Sequence, residues 1–231
     1  LIELIISKDV ARGIGLFTFN SFVLVEGYYC ENRTFCVTSM ASPVSEERDV
    51  TLSAYGHSCN FFGDKKDIMS TKELLSLERA LVDTSIVVLS EVHLDDPDVI
   101  LGLKEMFAGF TKEGVICPSA FIFCGNFISG SYLYNSSISN ASGYNYSSLD
   151  IYKNAFDTFT DMISEFPIFS KRNEDAPAMI FVPGPSDPWC GNILPSAHIP
   201  ETITERLVKK IAKVSFTNNP CRIKCFYLKN L

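Results

Sequence analysis

Three short apolar runs constrain this chain more than any other feature of its sequence. "SIVVLS" (85–90), "SAFIFC" (119–124) and "AMIFV" (178–182) are each rich in β-branched or aromatic residues, and each ends abruptly in a polar tail. Runs of this length and composition, bounded by turn residues, read as buried strands. Between them lie stretches of helical periodicity. "DPDVILGLKEMFAG" opens with an Asp96-Pro97 start, sets Val99, Ile100, Leu103, Met106 and Phe107 on one face, and reaches Gly109 as the expected stop. A second stretch carries Tyr152, Phe156, Phe159, Ile163 and Phe166, and a third opens at Pro200. Strands alternating with helices imply an α/β layered domain with a largely parallel sheet. In such a sheet, functional groups belong at the strand ends.

The flanking sequence is of a different kind. Residues 16–39 predict two antiparallel strands broken at Cys30-Glu31-Asn32-Arg33, and residues 41–69 lose periodicity and read as a connector. Residues 70–83 predict a helix with a Ser70/Glu73 capping box. Residues 129–148 form a Ser/Asn/Tyr/Gly-rich loop, and 222–228 read as a last strand. The expected division is therefore a β unit over 1–50, a connector and first helix over 51–83, and the α/β domain over 84–231. The chain begins at Leu1 without methionine and ends just after a strand-like run, which reads as a piece of a longer protein.

With 231 residues, 46% hydrophobic and 20% charged, the chain can bury a sizeable core, and no apolar run approaches the roughly 20 residues of a membrane helix. None of the eight cysteines forms a CxxC pair, and several lie in strand-like runs, so free thiols in a reducing compartment are expected. The sequons starting at Asn32, Asn135, Asn140 and Asn145 weigh little against this, since three fall in the Ser/Asn-rich tract. Seven of the 20 basic residues and none of the 27 acidic ones lie at or beyond Arg206, leaving 13 against 27, or −14, for residues 1–205. That bulk repels a phosphate backbone, and only the segment 206–231 can face DNA directly. A solvated helix face or an acidic protein partner is the plainer reading of that segment.

The strand tails carry the candidate chemistry: Glu91-Val92-His93 after the first run, Gly125-Asn126 and Ser129 after the second, Gly184-Pro185-Ser186-Asp187 after the third. Their order and spacing resemble the calcineurin-like metallophosphoesterases, which set D-x-H, G-D-x-x-D and G-N-H-D/E blocks at successive strand ends. Such enzymes hold two dications on anionic oxygens. Here Asn126 stands where the bridging Asp belongs, Ser129 replaces the block's last Asp, and Pro185 and Ser186 replace the ligand Asn and the acid His. Glu91 substitutes for Asp, while His93 and Asp187 match; His57 and His198 lie outside a G-H-x-H context. The resemblance therefore implies a fold without catalytic residues, metal or cofactor. The plain structural alternative makes His93 a packed histidine, Glu91 a capping carboxylate, and Asn126 and Asp187 turn residues.

The strings "FVLVEGYY", "NFFGD", "LSEVHLDD", "MFAGF", "FIFCGNF", "FVPGPSDPW", "GNILP" and "TNNPCRI" resemble the B-subunits of the eukaryotic replicative DNA polymerases, in the branch that serves polymerase epsilon. That resemblance implies an inactive phosphoesterase-like domain preceded by the last strands of an OB-type barrel. It also implies a nuclear accessory subunit that holds the zinc-binding C-terminal region of the catalytic subunit and links it to replicative helicase components. The 18 Phe and 9 Tyr are more than a core of this size usually demands, which suits a protein that works by its surface. Phe61, Phe62 and Trp189, in Gly- or Pro-marked loops, are the candidate contact residues. The competing reading is a divergent metal-dependent phosphodiesterase or 3′ exonuclease using Glu91, His93, Asn126 and Asp187.

Overall fold

The computed structural model describes residues 2–18, 21–30, 33–55, 76, 79–80, 83–132, 137–139, 145–188 and 195–223. The chain divides into two compact units, Leu1–Cys59 and Asn60–Leu231.

The first unit is built on β1 (Glu3–Arg12), β2 (Leu24–Cys30) and β3 (Thr34–Ala41), followed by helix α1 (Arg48–Tyr55). β3 is central: β1 pairs with it in parallel and β2 in antiparallel register. The hairpin expected over 16–39 is present, with its first strand at Leu24–Cys30. At Glu26/Gly27 the register slips, and there a Cβ on Gly27 would strike the Cys36 backbone carbonyl, so the bulge requires glycine. Val10, Val37 and Met40 form its small core. A wholly reduced chain was the wrong expectation for this unit. Cys30 closes β2 and Cys36 lies early in β3, so the hairpin brings their Cα atoms to 6.3 Å and the two sulfurs are bonded. Cys117, Cys124 and Cys221 are free.

The second unit is mixed α/β. A four-stranded parallel sheet runs in the order β4 (Ile86–Ser90), β5 (Ala120–Cys124), β8 (Ala178–Val182), β9 (Val214–Phe216). It is flanked by α2 (Pro97–Phe110), α3 (Ser148–Ile163) and α4 (Glu201–Lys210). This arrangement is compatible with a phosphoesterase-like fold. α2 starts where the sequence predicts: Pro97 takes the first position, and Asp96 accepts a 2.9 Å bond from the Asp98 amide. Gly109 lies within its last turn, and the cap is Thr111. α3 begins on a capping box of Ser147 and Asp150, inside the stretch read as loop, and a short hairpin of β6 (Ser137–Ser139) and β7 (Asn145–Ser147) precedes it. The last strand is corrected too. β9 is Val214–Phe216, Arg222 and Ile223 carry no strand, and 224–228 lie outside the described residues. Of the helix expected over 70–83, residues 76, 79 and 80 are described as helical.

Phenylalanine builds this core. Phe107, Phe121, Phe123, Phe127, Phe156, Phe159, Phe169 and Phe181 are all essentially without solvent contact. Full burial of each contributes on the order of 1.5–3 kcal/mol. Three of the sheet's aromatic rings lie side by side across the strands. Phe123 pairs in register with Phe181 and Phe181 with Phe216, and their rings stack at 5.0 and 4.8 Å between centroids. Much of the aromatic excess that the sequence suggested for an interface is thus spent inside.

Candidate functional site

Register decides which residues meet. Ser90 pairs with Cys124 and Cys124 with Val182, so the chain leaves all three strands at one level and brings the three polar tails together. On the first tail Glu91 adopts a left-handed backbone (φ 54°), uncommon for a residue with a Cβ. The turn after it is fixed by the Leu94 amide, which donates to the Phe127 carbonyl at 2.8 Å. The Glu91 carboxylate then lies over the neighbouring tail. His93 Nε2 donates to its Oε2 at 3.1 Å, and Asn126 Nδ2 reaches both oxygens at 3.4 and 3.2 Å. Asn126 Oδ1 in turn accepts from the Ser186 amide at 2.8 Å. Glu91, His93, Asn126 and Ser186 thus form one chain of contacts across three strand ends. Glu91 is no helix cap; Asp96 has that role.

Asp187 belongs to a different arrangement. It is fully buried, and its Oδ1 accepts from the Phe127 amide and the Tyr152 hydroxyl, both at 2.8 Å. Its Oδ2 accepts from the Gly184 amide at 2.7 Å. Burial pushes its carboxyl above the usual range, the three donors oppose this, and the Glu91 charge adds to the rise. Two glycines make the approach possible. A Cβ on Gly125 would strike Asp187 Oδ2, and one on Gly184 would come within 2.5 Å of Asn126 Oδ1 and 2.6 Å of its amide nitrogen.

Ser129 faces Asp95, donating from its amide to Oδ1 at 3.0 Å and from its hydroxyl to Oδ2 at 2.6 Å. Pro185 has no amide hydrogen to give, and the Ser186 carbonyl accepts from the Tyr132 amide at 3.0 Å. Phe61, Phe62, Trp189 and His57 lie outside the described residues. His198 is at the β9 side, its amide bonded to Asn218 Oδ1 at 3.1 Å. Sequence reasoning missed Asp95 and the roles of Tyr152, Gly125 and Gly184. The Gly-Asn and Gly-Pro pairs at two neighbouring strand ends were the available signal for the glycines; nothing in the sequence pairs Tyr152 with Asp187.

Electrostatically, the exposed part of the assembly offers one carboxylate, one imidazole and one amide. No group of three or more His, Cys, Asp or Glu is placed to hold a metal ion among the described residues.

A parallel sheet whose strand ends carry E-V-H, G-N and G-P-S-D tails is compatible with a phosphoesterase-like scaffold. The sequence pattern of the DNA polymerase alpha/epsilon B-subunit family matches residues 86–229, and the chain belongs to that family. Its relatives include B-subunits of DNA polymerase epsilon. It is 34% identical over 212 residues to human DNA polymerase epsilon subunit 2, an alignment covering 91% of this chain and 36% of that protein. It is 34% identical over 213 residues to the DNA polymerase epsilon B-subunit of Arabidopsis thaliana, covering 92% and 38%. The corresponding B-subunit of Schizosaccharomyces pombe is 29% identical over 222 residues, covering 95% and 34%. The chain thus spans little more than a third of the length of these relatives.

Proposed function

We propose that this chain is part of a non-catalytic accessory subunit of DNA polymerase epsilon, working in nuclear DNA replication. In this reading it binds the zinc-binding C-terminal region of the catalytic subunit and connects it to replicative helicase components. The carrying observation is the engagement of Asp187: the one carboxylate of the third tail is buried and already accepts from three donors. A two-metal centre needs several anionic oxygens facing a common point. An amide at 126, a Ser129 hydroxyl turned to Asp95, and a buried Asp187 do not fit one. The residues therefore suit a scaffold in which the strand-end network orders the loops.

The same reading takes residues 1–50 as the end of an OB-type barrel, 51–83 as a connector, and 84–231 as an inactive calcineurin-like domain. Phe61, Phe62 and Trp189 remain its proposed contact residues. Direct DNA binding by 206–231 is the weaker option. Arg206 pairs with Asp157 and Asp161, Lys210 with Asp161 at 3.2 Å, and Lys209 with Glu205.

The test is co-purification with the catalytic subunit of DNA polymerase epsilon, together with an assay of bis-p-nitrophenyl phosphate hydrolysis in Mn²⁺. A stable complex and no turnover are expected. Hydrolysis that Glu91→Ala and His93→Ala both abolish would replace the scaffold reading with the phosphodiesterase one.

A further inference from the structure

Beside the first strand tail, a cavity of about 480 Å³ opens between α2 and α3. Leu94 and Ala155 are buried at its base, and Pro97, Ile100 and Ile151 contribute further apolar surface. Its volume falls in the range of recognition pockets. The groove is preformed. Leu94 is held by the Phe127 carbonyl at 2.8 Å, and Asp95 by two bonds from Ser129 at 3.0 and 2.6 Å. α2 is capped by Asp96.

Its charge is one-sided. Asp95 is an exposed lining residue, Asp96 and Asp98 follow within three positions, and no Lys, Arg or His lines the groove among the described residues. An acidic occupant would meet repulsion there, whereas an ammonium or guanidinium would find a carboxylate already oriented.

We propose that this groove seats a partner segment that buries aliphatic side chains against Leu94, Ile100 and Ile151 and sets a lysine or arginine against Asp95. The inference rests on the accessory-subunit reading, since it names a surface with which such a subunit would grip its polymerase. Recognition of this type, an apolar face laid into a groove between helices, needs only a few anchors.

The experiment uses the full chain in complex with the catalytic subunit of DNA polymerase epsilon. Asn154 and Thr158 line the groove from exposed positions on α3, so they can be changed without opening the core. Asn154→Arg is expected to weaken the complex by about tenfold or more. Asn154→Glu is expected to bind at least as tightly as wild type, and Glu174→Arg, outside the groove lining, to stay within about twofold. All three should keep the wild-type circular dichroism and urea midpoint. A photo-crosslinker at position 158 should capture a partner segment in which aliphatic residues flank a Lys or Arg. Wild-type affinity for Asn154→Arg, a cross-link to this chain's own residues 133–144, or capture of an acidic segment would each overturn the groove while leaving the subunit assignment standing. Failure of the wild-type chain to bind the catalytic subunit would overturn both.

Discussion

Asp187 is the residue on which the functional reading turns, and its chemistry is testable without any partner. Asp187→Ala removes the acceptor of the Phe127 and Gly184 amides and of one Tyr152 bond. Leaving buried donors without an acceptor is expected to cost about 3 kcal/mol, read as a lower urea midpoint at constant slope. Asp187→Asn should recover only part of this, because its amide nitrogen turns a donor toward donors. The pH dependence has a definite sign. Burial raises the native pKa above the unfolded one, so ionisation weighs on the folded state. The stability Asp187 contributes through this shift is therefore full below the ordinary carboxylate range and is lost as pH rises through the raised native value. Subtracting the unfolding free energy of Asp187→Asn from that of wild type should give a larger difference at pH 4 than at pH 7. A flat difference would contradict the burial of this carboxyl as the cause. None of this was legible in the sequence, where Asp187 and His93 look like equivalent survivors of a motif. Only the fold shows that one turns inward and the other outward.

Elements differ in how plainly the sequence announces them, for reasons that can be named. β4, β5, β8 and α2 declare themselves through dense apolar runs and a Pro97 start, and their register alone brings the tails together. β9 has three residues, Val214–Phe216, too few for any periodicity, and exists because Phe216 stacks on Phe181 across a strand pair. The β6–β7 hairpin hides in a low-complexity tract for the same reason: backbone pairing leaves no pattern in a Ser/Asn-rich sequence. The Cys30–Cys36 link joins partners six positions apart across a hairpin, a spacing that belongs to no sequence signature. Phe181→Ala, which removes a fully buried ring from the middle of the stacked row, is expected to cost about 3–5 kcal/mol by urea unfolding. Asp96→Ala, which removes only the α2 cap, should cost about 1 kcal/mol in the same experiment.

For the whole molecule, charge bears on partners as much as shape does. The acidic bulk of the chain, at −14 before Arg206, leaves the basic segment to carry any DNA contact, and among the described residues Arg206, Lys209 and Lys210 already face carboxylates. Anisotropy with a labelled single strand is accordingly expected to show no binding tighter than about 10⁻⁴ M at physiological salt; micromolar affinity that falls steeply with salt would restore the DNA-binding option. The mutual approach of Gly125 and Gly184 also limits how this surface can be altered. Neither position can accept a side chain while Asn126 and Asp187 stay where they are. Placing an acid at position 126 would replace the amide donor 3.2 Å from Glu91 with a second negative charge. Positions 125, 126, 184 and 187 are therefore constrained together, and a change at one has to be accommodated by the others.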